Sequence, residues 1–250
     1  MNLIDQFPEA KPYTIKGKNE AVLMIHGFSS TPNIFHPLAS YISEKFGWEI
    51  QVPMLSGHGL TPEALNQTQA QDWVRDADLA IEKLLMKYSR IHLIGLSLGG
   101  TLCARLITRY ANNIASLTLL APAMFIQGFF SRQLLKFARF LPSSILKKWI
   151  VYKKNPDITE HISYHEYSAY SVVEFDKVCR QVRKTFSTDK PTLIFVPLKD
   201  GTIHPKSSKW FQRHAKNSRL IELTQSPHVV FLGSENDLIS NEIEKFLKFI

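Results

Sequence analysis

Ser97 stands in Gly95-Leu96-Ser97-Leu98-Gly99, between the apolar run Ile91–Leu96 and the stretch TLCARLITRY that opens at Thr101. A serine hydroxyl becomes a nucleophile only when a base takes its proton, and the base needs an acid to orient it. The glycine-x-serine-x-glycine pattern fits a sharp strand-to-helix turn that strains the serine backbone and lifts its Oγ out of the sheet. A Cβ at either flanking position would strike the neighbouring strand or helix. Such an elbow is followed along the chain by an acid and then a histidine. The later histidines are His161, His165, His204, His214 and His228. His228 follows the apolar segment Arg219–Leu223 and the polar stretch Thr224-Gln225-Ser226-Pro227, which places it at the carboxyl end of a strand, facing Ser97. His204 is the rival, but it sits only four residues from the best acid. That acid is Asp200, which follows the strand Thr192–Val196 through Pro197-Leu198-Lys199. Asp200-Gly201 is also a good turn pair, and both roles can hold together.

The oxyanion of a tetrahedral intermediate needs two N–H donors. The backbone N–H of Leu98, at the start of the elbow helix, is one candidate. His26-Gly27-Phe28 follows the apolar run Ala21–Ile25, and the N–H of Phe28 is the other. His26 reads as a structural hydrogen-bonding residue. His58, flanked by Gly57 and Gly59, reads as part of a tight loop beside the site.

The elements that must position these residues alternate. Strands are expected at Ala21–Ile25, Trp48–Val52, Ile91–Leu96, Leu117–Leu120, Thr192–Val196 and Arg219–Leu223. Helices are expected at Ile34–Phe46, Ala70–Tyr88, after the elbow, at Pro205–Ala215 and at Asn236–Phe249. This alternation predicts an α/β fold with a mostly parallel central sheet and helices on both faces, in one domain spanning residues 1–250. Residues from about 124 to 170 interrupt it. Their first part, FFSRQLLKFARFL, puts Phe130, Leu134, Phe137, Ala138 and Leu141 on one helical face and Arg132, Lys136 and Arg139 on another. Pro142 ends that helix, and Ser143 or Ser144 can cap a second containing Ile145 and Trp149. An insertion at this point lies over the carboxyl ends of the strands, so it is expected to form a helical cap.

The 250 residues carry 30 basic and 22 acidic side chains, a net +8. Seven of the basic residues and no acidic ones fall between Met124 and Lys154, so the rest of the chain carries only +1. Basicity confined to one insertion argues against a nucleic-acid partner. Its outer face is instead a candidate for an anionic lipid surface, the plainer alternative being a solvated face that binds nothing. Cys103 and Cys179 stand far apart and outside any metal-binding spacing, which suits reduced core residues and a cytoplasmic location. No metal or other cofactor is expected. The N-terminus lacks a basic stretch leading into a long apolar one, and no run of apolar residues is long enough to span a bilayer.

With HGF at 26–28, SGHG at 56–59, GLSLGG at 95–100, then Asp200 and His228 in order, the chain resembles an α/β-hydrolase. It is most similar to the bacterial carboxylesterase and monoacylglycerol lipase branch. The stretch LSGHGLTPEALNQTQAQDW at 55–73 resembles that branch's loop, and SPHVV at 226–230 its histidine-bearing ending. The resemblance implies a Ser97, Asp200 and His228 triad, an oxyanion hole from Phe28 and Leu98, and a small acyl ester substrate. Phe28, Leu98 and the cap residues Phe125 and Phe129 are then expected to meet the substrate. The basic, aromatic cap departs from the family pattern, so substrate preference does not transfer. A lysophospholipase or thioesterase using the basic cap is the alternative within enzymes, and a non-catalytic binding protein the alternative outside them. Serine rather than aspartate at the elbow disfavours a dehalogenase.

Overall fold

A computed structural model of the chain describes residues 2–126, 135, 137–138, 140–152 and 161–250. Its strands are β1 (Tyr13–Ile15), β2 (Ala21–Ile25), β3 (Glu49–Val52), β4 (Ile91–Leu96), β5 (Ile114–Leu120), β6 (Ile150–Tyr152), β7 (Glu166–Ser168), β8 (Thr192–Pro197) and β9 (Ser218–Leu223). Its helices are α1 (Leu3–Gln6), α2 (His36–Phe46), α3 (Pro62–Leu65), α4 (Ala70–Leu85), α5 (Leu98–Arg109), α6 (Ser143–Lys148), α7 (Ala169–Thr185), α8 (Lys206–His214) and α9 (Asn236–Lys248). Seven strands form one sheet in the order β1-β3-β2-β4-β5-β8-β9. All neighbours are parallel except the edge pair β1 and β3.

Parallel strands covered on both faces need apolar side chains on both faces, and the sequence supplies them. In β2, Ala21, Leu23 and Ile25 enter one core and Val22 and Met24 the other. The first core lies under α4, α5, α7 and α8 around Trp73, which has no exposed surface. The second lies under α2 and α9, around Phe35, Ile42, Phe195 and Ile243. Emptying a site such as Trp73 to alanine would cost roughly 3–5 kcal/mol. Gly47, at φ 68°, ends α2 in the left-handed conformation that glycine adopts without strain.

The expected strands and helices are present, with shifted ends. β5 begins three residues earlier than expected, and α4 ends three earlier, at Leu85. A 3₁₀ turn at Pro32–Phe35 precedes α2, so that helix starts at His36 rather than Ile34. The insertion is not purely helical. Trp149 has the extended angles φ −88° and ψ 101°, so α6 stops before it, and β6 then pairs antiparallel with β7. Neither Ser143 nor Ser144 caps α6, because Pro142 occupies the cap position and the serines lie inside the helix. Instead Ser168 caps α7, accepting the N–H of Ser171 at 3.3 Å. Leu134, Phe130, Arg132, Lys136 and Arg139 lie outside the described residues. Among the described residues no helix is long and apolar enough to cross a membrane.

Candidate active site

β4 delivers the chain into Ser97, which takes φ 54° and ψ −116° immediately before α5. A non-glycine residue there costs of order 1–3 kcal/mol and persists only where its surroundings over-determine it. The surroundings do so here. The Ser97 N–H donates to Leu120 O at 3.0 Å, and the Ser97 carbonyl accepts from the N–H groups of Thr101 and Ala123, both at 3.2 Å. The glycines follow from close approach: a Cβ on Gly99 would overlap the carbonyl of Ile25 in β2, and one on Gly95 the backbone of Gly99 and Gly100.

The structure brings the three distant residues together. His228 Nε2 lies 3.0 Å from Ser97 Oγ, and His228 Nδ1 lies 2.7 Å from Asp200 Oδ2. The other Asp200 oxygen, Oδ1, accepts the N–H groups of Thr202 at 2.7 Å and Ile203 at 2.8 Å. Asp200 thus holds its own turn with one oxygen and His228 with the other, and its side chain is only 3% exposed. His204 is not at the serine; its Nδ1 accepts the N–H of Lys206 at the start of α8.

The loop that carries His228 is held by a residue that the sequence reading did not single out. Glu235, at the N-cap position of α9, makes no cap bond of its own. Its carboxylate turns to the loop and accepts the N–H groups of Thr224, Gln225 and Ser226 at 3.0, 3.1 and 2.9 Å, and the Ser226 hydroxyl at 2.7 Å. Desolvation opposes its charge, but these hydrogen bonds outweigh it and hold the carboxyl below the usual glutamate range. Nothing periodic in the sequence marks Glu235; its only signal is an acid just ahead of the closing helix.

The turn after β2 also lies beside Ser97. A Cβ on Gly27 would sit 3.3 Å from Ser97 Cβ, so the turn abuts the serine. The backbone N–H groups of Phe28 and Leu98 have no hydrogen-bond acceptor among the described residues. Both histidines nearby are engaged with the backbone, as expected. His26 Nε2 accepts the Leu55 N–H at 3.1 Å, and burial pushes its pKa down to about 4. His58 Nε2 accepts the Ser29 N–H at 3.0 Å. The Phe28 ring stacks on Phe175 of α7 and meets Tyr167 of β7 edge-on, with centroids 5.3 and 4.9 Å away. The Arg183 guanidinium lies 5.3 Å over the ring of Phe125, whose backbone joins Ser207 and His204. Phe129 lies outside the described residues.

A second serine, histidine and carboxylate set occurs at the amino ends of the strands. His92 Nδ1 lies 2.7 Å from Ser116 Oγ, and its Nε2 lies 2.7 Å from Glu20 Oε2. Ser116 sits wholly buried within the ladder of β5, with no elbow to lift it. That set ties strands together.

Residues 20–163 match the alpha/beta hydrolase fold family, and the chain belongs to it. It is 27% identical over 255 residues to a thermostable monoacylglycerol lipase of Bacillus sp. (strain H-257), a match covering 98% of this chain and 97% of the relative. It is 28% identical to a carboxylesterase of Bacillus subtilis (strain 168), over 95% of this chain and 96% of that one. Among solved structures, one from a study of the metagenome-derived lipolytic enzymes LipS and LipT superposes with a TM-score of 0.84 at 21% identity. That superposition covers 97% of this chain and 99% of the other, and it establishes the shared fold.

Proposed function

We propose that the protein is a serine hydrolase of the esterase and lipase type, acting on carboxylic esters of small or single-chain acyl groups such as monoacylglycerols. The observation that carries this reading is His228, bonded at once to Ser97 Oγ and to Asp200. Ser97 attacks the ester carbonyl carbon while His228 Nε2 takes its proton. Asp200 holds the imidazole with Nδ1 protonated and balances the charge that His228 gains. The negative oxygen that forms is received by the N–H groups of Phe28 and Leu98, which need no reorganisation to meet it. The alcohol leaves with the proton from His228, and water then releases the acyl group from Ser97 by the same steps in reverse order.

A small apolar cavity under the cap supports an acyl substrate. Ile126, Leu135, Ala138, Val151, Tyr167 and Val173 are among its lining, and Tyr167 packs on Phe28. The concentration of positive charge between 124 and 154 favours a second reading, in which the ester carries phosphate, as in a lysophospholipid or an acyl thioester of a phosphorylated carrier. Buried Cys103 and Cys179, both free thiols, suit a cytoplasmic location.

The test is labelling by a fluorophosphonate, with turnover of p-nitrophenyl esters, monoacylglycerols, lysophospholipids and acyl thioesters. The wild type is expected to be labelled and Ser97→Ala not. That substitution is expected to lower kcat by about 10⁴- to 10⁶-fold while the thermal midpoint stays close to wild type. Ser97→Ala activity within tenfold of wild type would overturn the assignment. No labelling and no turnover by the wild type would leave a binding protein on a hydrolase frame.

A further inference from the structure

Residues 121–126 leave β5 as a short strip that touches the backbone of Ser97 and the turn of Asp200 before the chain enters the cap. Ala121 takes φ 44°, in the left-handed region that a non-glycine residue keeps only where its neighbours over-determine it. Its N–H donates to Phe195 O at 3.1 Å, which ties the strip to β8, the strand that leads to Asp200. The Ala123 N–H then holds the Ser97 carbonyl at 3.2 Å. Two residues on, the Phe125 carbonyl accepts the His204 N–H at 2.9 Å, and Ile126 forms an antiparallel bridge with Ile203. Ile203 is the residue whose N–H binds Asp200 Oδ1 at 2.8 Å. A backbone path that does not pass through His228 therefore joins the serine to the turn of the acid.

Two side chains hold that strip from the helices on either side. Ser207, in the first turn of α8, has no exposed surface. Its Oγ accepts the N–H of Phe125 at 2.9 Å and that of Met124 at 3.3 Å, and neither N–H has another acceptor among the described residues. A buried N–H left without an acceptor is costly, so the strip is held to this hydroxyl. From α7, the Arg183 guanidinium donates to Met124 O at 2.8 Å and lies over the Phe125 ring. Met124 is thus held by its N–H on one side and by its carbonyl on the other. Asp200 depends on such support, because it stands in an irregular segment after β8 while its Oδ2 must stay 2.7 Å from His228 Nδ1. We propose that Ser207 and Arg183 are positioning residues, which act through residues 123–126 to fix Asp200 against His228 and Ser97. The proposal rests on the reading of Asp200 as the acid of a serine hydrolase.

Steady-state kinetics of the full chain on a soluble p-nitrophenyl ester tests it, with kcat expressed per folded molecule. A displacement near 1 Å costs on the order of a hundredfold, so Ser207→Ala is expected to lower kcat roughly tenfold to hundredfold with KM nearly unchanged. Arg183→Met should act in the same direction, and Arg183→Lys, which keeps a donor, should recover part of the loss. Arg183 is partly exposed, so its variants give an answer even where Ser207→Ala folds poorly. Residues that act as a unit are not additive, so in the Asp200→Asn background Ser207→Ala should change kcat by less than about threefold. An equal factor in both backgrounds, a change in KM alone, or a wild-type kcat in both Ser207→Ala and Arg183→Met would overturn the proposal. A second readout needs no turnover. The proton shared by His228 Nδ1 and Asp200 gives a far-downfield proton resonance, identified by its absence in His228→Ala. In Ser207→Ala it is expected to move upfield or broaden. A shifted resonance in a protein whose wild type turns over no ester would keep the positioning role and remove the hydrolase reading, whereas an unshifted one would remove the positioning role.

Discussion

Asp200 divides its two oxygens between its own turn and His228, and the consequences of changing it separate cleanly. In Asp200→Asn, Oδ1 can still accept the N–H groups of Thr202 and Ile203, so the turn survives. The amide nitrogen replaces the oxygen that faces His228 Nδ1 and favours the opposite imidazole tautomer, which leaves Nε2 protonated and unable to take the serine proton. By analogy with serine proteases, kcat should fall roughly 10⁴-fold with little change in stability. His228→Ala should cost at least as much. Steady-state kinetics on a soluble ester checks both, and an inactive His204→Ala beside an active His228→Ala would mean that the base is wrongly assigned. The chemistry of the residues was readable in order along the chain. That Ser116, His92 and Glu20 make an equally tidy set was not, and residue types alone would not separate the two. Backbone setting does: Ser97 sits at a strained elbow near N–H groups that have no acceptor among the described residues, while Ser116 lies in a strand ladder.

At the scale of elements, the site depends on how the segment after β9 is held. Residues 224–227 have no regular structure of their own, and Glu235 gathers three of their N–H groups and the hydroxyls of Thr224 and Ser226. Glu235→Ala removes both acceptor oxygens and every hydrogen bond they receive from the loop, so His228 should lose its fixed distance to Ser97. A displacement near 1 Å costs on the order of a hundredfold, so kcat should drop roughly tenfold to hundredfold with KM nearly unchanged. Glu235→Gln keeps an acceptor oxygen and should recover part of the loss. A comparison of kcat and KM across the three proteins tests this, since mere destabilisation would lower the thermal midpoint and leave kcat per folded molecule intact. A wild-type kcat in Glu235→Ala would remove Glu235 from the list of positioning residues.

For the whole molecule, buried neutral histidines make stability depend on pH. His26 has no exposed surface, and burial lowers its pKa from 6.5 to about 4; burial also lowers that of His92, against the opposing pull of Glu20. In the unfolded chain these imidazoles protonate near pH 6.5, while His26 in the folded state resists until about 4. Their contribution is therefore complete above 6.5 and is lost as pH falls from there towards 4. Between pH 6.5 and 5, where carboxylates remain charged, His26 alone should cost about 2 kcal/mol. Thermal unfolding followed from pH 7.5 to 5 checks the direction; a midpoint that does not fall across that range would show that His26 accepts its proton without loss of the fold.

The amino-acid sequence by itself determined the alternation of strands and helices, the elbow at Ser97 and the order Ser97, Asp200, His228. Each of these is written in short-range constraints: apolar runs that need two covered faces, glycines where no Cβ fits, and a turn-forming Asp-Gly pair. Its limits are physical as well. β1 is three residues long and half-exposed, so its pairing with β3, some thirty-five positions away, leaves almost no local trace. Trp149 was expected inside a helix because its spacing from Ile145 is helical, but pairing with residues 166–168 pulled the following segment into a strand. Only the tertiary structure decided that Glu235 holds the loop bearing His228, and that Phe28 packs against β7 and α7 while its N–H finds no acceptor among the described residues. Those outcomes rest on contacts between residues far apart in the chain, where a distance of 3 Å is set by the packing of whole elements and by no local preference.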